Sequence, residues 1–283
     1  MIPAQFDYVR VGSVDEAVAA LVQHGDEAKV LAGGQSLIPL LRLRLAYPEV
    51  VVDVGRVEEM RGVRDDGDHL VIGAMTTHHD VIRNALVRAH CGLVAEATAT
   101  VADPAVRHRG TFGGALAHAD PAGDLPAVAL ALDAEFVVAG SGGRRTVAAA
   151  DFFVDYLQTA LSPDEVLVEV RLPKLGDGWG YHYEKFQRVA QAWAIVGVAA
   201  AVHRSNGSIS EARIGLTNMG STPLRAAATE QALAGADLSA IADAAGHAAD
   251  GTTPSSDLNG AADYRQHLAR VLTRRAVTAA AGA

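Results

Sequence analysis

Two glycine pairs stand where a chain can wrap an anion. The first is Ala32-Gly33-Gly34-Gln35-Ser36, between an apolar strand ending at Leu31 and an apolar segment opening at Leu37. Adjacent glycines reach positive φ easily and bring backbone close to a ligand with no Cβ in the way. The N–H groups so freed, with the start of the next helix, suit a phosphate. The spacing is not G-x-G-x-x-G, so a Rossmann cofactor site is not indicated. A lone glycine pair reads most simply as a tight turn. The second pair lies in Arg107-His108-Arg109-Gly110-Thr111-Phe112-Gly113-Gly114-Ala115. Thr111 adds a hydroxyl, and two arginines raise the local potential, which favours a dianion. Two such loops in one chain make a pyrophosphate held between them a stronger reading than either loop alone.

Other residues carry chemistry less firmly. His118, Asp120 and Asp124 have a spacing that could suggest a metal, but nothing nearby completes a ligand set. Asp120 and Asp124 precede apparent helical turns, where capping is the ordinary role. Alternatively, Asp124 accepts hydrogen bonds from sugar or ribityl hydroxyls. His78-His79 reads as structural or surface. Lys185 sits on a strand with alternating apolar neighbours, where a lone lysine usually points to water. Beside a flavin ring it would stabilise an anionic reduced form. One cysteine, Cys91, cannot build an internal disulfide, a zinc site or an iron–sulfur cluster.

These residues need elements to position them. Ser13-Val14-Asp15-Glu16 reads as a capping box opening a helix to about His24, with Ala17, Val18, Leu21 and Val22 on one face and Gly25 as its stop. Strands at Ala28 to Leu31 and Val50 to Val54 make residues 1–55 a small β-α-β unit. In residues 56–175, His69 to Met75 is a strand, Thr77 a cap and 78–101 largely helical. Leu125 to Asp133 is a helix, and Glu135 to Ala139 and Val166 to Leu172 are strands. A glycine-rich stretch, Leu175 to Gly180, reads as a domain boundary. Beyond it, Tyr181 to Val189, Ala192 to His203 and Ser208 to Leu216 read as strands, the last two joined by a Ser205-Asn206-Gly207 hairpin. Ala-rich helices follow, including Ala261 to Thr278. The domains expected are 1–175 and 176–283, the second α+β.

The chain has 283 residues, a formal net charge of −9 and a pI near 5.6. An acidic surface argues against nucleic acid as partner, since phosphate backbones need clustered Lys and Arg. The N-terminus has no basic segment leading an apolar run, and no apolar run reaches 18 residues. A cytoplasmic chain with no membrane span is expected.

Taken in order, the motifs resemble a family. Ala32 to Ser36 followed by Leu37-Ile38-Pro39-Leu40-Leu41 and Asp53-Val54-Gly55, then Asp103-Pro104-Ala105-Val106-Arg107 running into Arg109-Gly110-Thr111-Phe112-Gly113-Gly114, resemble the FAD-binding medium subunits of the aerobic carbon monoxide dehydrogenase and xanthine dehydrogenase family. His118-Ala119-Asp120-Pro121, Lys185-Phe186, Trp193-Ala194-Ile195-Val196-Gly197, Gly215-Leu216-Thr217-Asn218 and Leu272-Thr273-Arg274-Arg275-Ala276 extend the match to nearly the whole chain. The resemblance implies a two-part FAD-binding domain of the vanillyl-alcohol-oxidase (PCMH) type, with a C-terminal domain of the carbon monoxide dehydrogenase flavoprotein type. It implies cofactor contacts from Leu31, Ala32, Gly33, Gly34, Gln35 and Ser36, and from Thr111, Phe112, Gly113, Gly114 and Ala115. It adds Val101, Asp124, Leu167 and Lys185. It implies FAD on this chain, with a molybdenum-pterin cofactor on a large subunit and two [2Fe-2S] clusters on a small one, assembled as a dimer of heterotrimers. Electrons would pass from the clusters through FAD to an external acceptor. A stand-alone FAD oxidase of the same fold superfamily is the alternative. Gln35, Phe112, Ala115, His108 and Ala192 depart from residues common in the family, which bears on contacts near the ring and on the acceptor.

Overall fold

The computed structural model describes residues 2–282. Its N-terminal part is a three-stranded parallel sheet: β1 (Asp7–Arg10), helix α1 (Val14–His24), β2 (Ala28–Leu31), helix α2 (Leu37–Leu43) and β3 (Val50–Asp53). The strand order is β1-β3-β2, so β3 is flanked on both edges. Its Val50, Val51 and Val52 are all buried, as a central parallel strand requires. Ser13 Oγ accepts from the Glu16 N–H at 3.1 Å, while the Glu16 carboxylate accepts from the Gly12 N–H at 2.7 Å. The expected capping box is therefore present, closed one residue early. The buried face of α1 is Val14, Ala17, Ala20 and Leu21. Val22 is 55% exposed, because a stripe rooted at Val14 returns at 17 and 21, not at 22.

The next part is an antiparallel sheet with helices against it. Its elements are β4 (Val63–Asp66), β5 (His69–Gly73), α3 (His78–Arg83), α4 (Ala85–His90), α5 (Gly92–Ala99), α6 (Pro104–Arg107), α7 (Phe112–His118), α8 (Asp124–Ala131), β6 (Glu135–Gly140) and β7 (Gly143–Ala148), then α9 (Ala149–Phe152), a hairpin of β8 (Phe153–Asp155) and β9 (Gln158–Thr159), and β10 (Val166–Pro173). The sheet order is β4-β5-β10-β6-β7. The largely helical stretch expected over 78–101 is three helices. Asn84 breaks the first pair, its Oδ1 accepting from the Leu86 and Val87 N–H groups at 2.9 and 3.3 Å. The expected strand 69–75 stops at Gly73, and the strands β4 and β7 carry polar residues that masked them.

The last part is an antiparallel meander, β11 (Trp179–Phe186), β12 (Val196–Ser205), β13 (Ser208–Thr217) and β14 (Leu224–Arg225), backed by α10 (Ala227–Leu233), α11 (Ile241–Ala244) and α12 (Ala262–Ala280). Asn206 and Gly207 take φ of 52° and 85°, the left-handed pair that a tight two-residue hairpin needs. Two expected strands are shorter than their patterns: β11 ends at Phe186 and β12 begins at Val196, leaving 187–195 as a loop. The meander packs directly on the middle part. A Cβ at Gly215 would lie 2.1 Å from the Ala127 carbonyl, so β13 meets α8 backbone to backbone. Tyr183, Ala199 and Ala201 join the core of the first two parts. No helix of the described residues is long and apolar enough to cross a membrane.

Cys91 is fully buried between α4 and α5, and burial pushes its thiol up to about 12. It packs as a small hydrophobe. A thiol reagent is expected to label the native protein negligibly at pH 8 and fully in denaturant. Cys91→Ala is expected to cost roughly 1 kcal/mol in urea unfolding, the scale of one buried heavy atom.

Candidate functional site

The two glycine loops form one wall of a cleft of about 720 Å³. A Cβ at Gly33 would stand 2.2 Å from the Arg109 carbonyl oxygen and 2.8 Å from the Gly110 Cα. The loops therefore touch each other, and Gly33 is a packing glycine. Gly113 is another: a Cβ there would stand 2.4 Å from the Ala74 Cβ, where α7 crosses the end of β5. Substituting either is a lesion of the fold as well as of the cleft. Gly34 differs, with φ of 74° and only side-chain ends, of Ile38 and Leu31, closest to where a Cβ would stand. It turns the loop so that the N–H groups of Gly33, Gly34, Gln35 and Ser36 have no intrachain acceptor among the described residues. Four consecutive free donors make an anion-binding concavity.

Thr111 caps α7, its Oγ1 accepting from the Gly114 N–H at 3.2 Å. The second loop is fastened to the segment after β5: Phe112 N–H donates to Thr76 O, and Gly113 N–H to Ala74 O, both at 2.9 Å. Arg107 donates from Nη1 to the Val101 and Ala102 carbonyls at 2.8 and 3.3 Å. It braces the 101–107 turn and is not aimed at an anion.

The floor is an ion pair. Lys185 Nζ donates to Asp124 Oδ2 at 2.8 Å and to the Thr100 carbonyl at 3.2 Å. Tyr183 Oη donates to Asp124 Oδ1 at 2.7 Å. The Lys185 and Asp124 side chains are each 4% exposed. Burial pushes the Asp124 carboxyl up, opposed by Lys185 and by the hydrogen bonds from Lys185 and Tyr183. Burial also pushes the Tyr183 phenol well up, with Asp124 adding to the effect. Tyr183 and Lys185 are two apart on β11, hence on one face. Asp124 is the first residue of α8, and its side chain caps nothing. Of the two readings of Lys185, the ordinary one of a solvated side chain does not hold.

Ala32, Gly33, Gly34, Gln35, Ser36, Val101, Thr111, Gly113, Gly114, Ala115, Asp124, Leu167 and Lys185 all line the cleft. Leu167 lies at a register shift of β10 against β6, where a bulge re-aims side chains. Leu31 and Phe112 are not on its surface. Phe112 is 1% exposed in the core, as an apolar residue following a cap should be. His118 and Asp120 lie 3.9 Å apart, and Asp120 Oδ1 accepts from the Ala122 N–H at 2.9 Å. His79 stacks on His108, ring centroids 3.8 Å apart. His78, Gln191 and Trp193 are among the lining residues that sequence reasoning did not assign to the site. His78 is buried, the structural one of its two expected readings. Gln191 and Trp193 belong to the 187–195 loop, which reaches back to the mouth, Gln191 Nε2 donating to Asp103 Oδ2. Trp193 opens the motif Trp193-Ala194-Ile195-Val196-Gly197 that carried part of the resemblance, and that was the available signal.

Residues 4–175 match the model of the FAD binding domain in molybdopterin dehydrogenase, and residues 181–280 that of the CO dehydrogenase flavoprotein C-terminal domain. The chain belongs to the FAD-binding medium subunits of the molybdenum hydroxylases. It is 44% identical over 282 residues to the carbon monoxide dehydrogenase medium chain of Hydrogenophaga pseudoflava, covering 99% of this chain and 98% of that one. It is 38% identical to subunit alpha of the 6-hydroxypseudooxynicotine dehydrogenase complex of Paenarthrobacter nicotinovorans, covering 99% and 96%. A solved carbon monoxide dehydrogenase from Hydrogenophaga pseudoflava superposes with a TM-score of 0.97, at 46% identity and 99% and 98% coverage. The expected fold class is thus the observed one, and this medium subunit is a part of the molybdenum-dependent oxidoreductase class.

The ion pair gives a sharp stability test. Lys185→Met leaves Asp124 buried without its counter-charge and is expected to cost roughly 3–5 kcal/mol. Adding Asp124→Leu should return most of that loss in urea unfolding. A double variant no more stable than Lys185→Met would show that the pair does not act as a unit.

Proposed function

We propose that the cleft holds FAD and that the chain is the electron-transfer subunit of a cytoplasmic molybdenum hydroxylase complex. The observation that carries this reading is the meeting of both glycine loops in one cleft, with four free backbone donors at its wall. That arrangement suits a pyrophosphate, the common feature of dinucleotides. The cleft volume lies within the roughly 300–1,000 Å³ of ordinary cofactor pockets. On this reading Gly33 to Ser36 and Thr111 to Ala115 hold the pyrophosphate and its neighbouring groups. Val101 and Leu167 supply apolar walls. Trp193 offers an aromatic plane at the mouth, where flat rings stack. Asp124 and Lys185 hold each other at the floor and present a fixed, nearly neutral polar surface to the ligand. Residues 1–175 then form the FAD-binding domain and 176–283 the C-terminal domain that contributes Lys185 and the 187–195 loop.

When bound, FAD converts between one-electron donors and a two-electron acceptor. The chain itself supplies binding, orientation and exclusion of water. Its single cysteine is buried and protonated, so iron–sulfur clusters belong to a small partner subunit and the molybdenum-pterin cofactor to a large one, in a dimer of heterotrimers. Two relatives support the separation of flavin from substrate. Their names carry carbon monoxide and 6-hydroxypseudooxynicotine, molecules with no common shape, yet this chain is similar to both along nearly its whole length.

Two outcomes are expected. The intact complex carries about one FAD per copy of this chain, and Gly34→Ala lowers FAD affinity roughly ten- to a hundredfold, the worth of one lost hydrogen bond to a charged group. Unchanged affinity would make the first loop an ordinary turn. Second, the FAD-loaded chain alone is not bleached by the substrate of the whole complex, is bleached by it once both partner subunits are added, and is bleached by dithionite in either case. Rapid bleaching by substrate without partners would instead establish a stand-alone oxidase.

A further inference from the structure

His78 opens α3 beneath the second glycine loop. Its backbone N–H donates to the Gly110 carbonyl at 2.9 Å, and Thr77 pairs with Thr111 in an isolated antiparallel bridge beside it. The imidazole packs on Gly110, where a Cβ would stand 2.8 Å from Cδ2 and 3.1 Å from Nε2. Gly110 is therefore a glycine that admits this ring. His78 is 3% exposed and lines the cleft.

The ring nitrogens are unpaired. Nδ1 is enclosed by protein with no hydrogen-bond partner. Among the described residues no hydrogen bond acts on the ring at all: burial and the charge of Arg107 alone push its pKa down, to about 4. The imidazole is therefore neutral near pH 7 and carries one proton. An orphaned acceptor is better tolerated than an orphaned N–H, so the proton belongs on Nε2 and the enclosed Nδ1 keeps its lone pair. Since Nδ1 is sealed off, the Nε2 edge is the one the cleft receives. A buried polar group without a partner costs about 1–3 kcal/mol, and folded proteins keep few of them. Nε2 also has no partner among the described residues but, unlike Nδ1, is not fully enclosed, and a free donor at a ligand wall is a contact awaiting its acceptor.

We propose that His78 is a positioning residue for the cofactor, its Nε2–H donating to an oxygen on the pyrophosphate side of FAD, directly or through one enclosed water. The proposal rests on the FAD reading of the cleft. It gives the second loop a side-chain donor that complements the backbone donors of the first.

The test uses the full chain stripped of FAD and titrated with FAD by flavin fluorescence. Wild type binding no FAD would overturn the reading of the cleft itself. With wild type binding, His78→Leu is expected to weaken affinity roughly ten- to a hundredfold, and His78→Gln, whose amide N–H reaches the Nε2 position, to restore it to within about threefold. His78→Asn, which reaches only the Nδ1 position, should not. His78→Leu binding as tightly as wild type overturns the proposal, as does His78→Gln no better than His78→Leu in folded protein. An independent readout needs no variant. In ¹⁵N spectra of histidine-labelled wild type, FAD is expected to shift the protonated Nε2 of His78 and leave Nδ1 a bare acceptor. His78 signals that do not move on FAD binding overturn the proposal.

Discussion

Gly33 and the Arg109 carbonyl oxygen come so close that no side chain fits between them, and most of the cleft follows from that contact. It joins the loop after β2, in the parallel sheet, to the loop before α7, in the antiparallel one. The two are separated by more than seventy positions in sequence, so closing them costs chain entropy that grows only slowly with length. The cost is met by burial elsewhere: one continuous core runs from α1 and β3 through β5, β10 and α8. With the loops fastened at Gly33, at Gly113 on Ala74 and at the Thr77–Thr111 bridge, the free N–H groups of Gly33 to Ser36 need not be ordered when a ligand arrives. Preorganised donors bind more tightly for that reason.

The floor obeys a different constraint. A buried lysine–carboxylate pair contributes little net stability, because desolvating both charges offsets most of their attraction. What it contributes is direction. Asp124 has one oxygen on Tyr183 and the other on Lys185, so the first turn of α8 is held in one register against one face of β11. Lys185 also takes the Thr100 carbonyl at the end of α5. Three elements from two parts of the chain meet on the Lys185 ammonium. A hydrophobic pair would fill the space as well, without defining which residue faces which.

Much of this was legible in the residues and some was not. Strand and helix positions with clean periodicity, such as β2, β10, β13, α8 and α12, stood near their expected bounds, and the left-handed Asn206-Gly207 hairpin was readable from type alone. The glycine loops were readable as candidates because two pairs each followed an apolar or arginine-bearing segment and led into a helix. Their mutual contact was not, since proximity across parts of a chain leaves no local trace. The Asp124–Lys185 pair was missed for the same reason: each residue had an ordinary local explanation, a cap and a solvated lysine. Polar edge strands β4 and β7 lacked the alternation that marks a half-buried strand. The 187–195 loop read as strand because Val189, Ala192, Ala194 and Ile195 are apolar, yet the first of these faces solvent.

The strongly perturbed groups of the chain are held in their states by burial. Burial makes Cys91 inert, His78 neutral and Tyr183 hard to ionise, and Asp124 is engaged by two donors. Cys91, His78 and Tyr183 each keep one charge state near neutral pH, which suits a chain that binds a cofactor without exchanging protons through those side chains. Constancy of that kind also explains why one scaffold serves enzymes named for unrelated substrates. A wall that binds and orients a dinucleotide need not change from one named substrate to another.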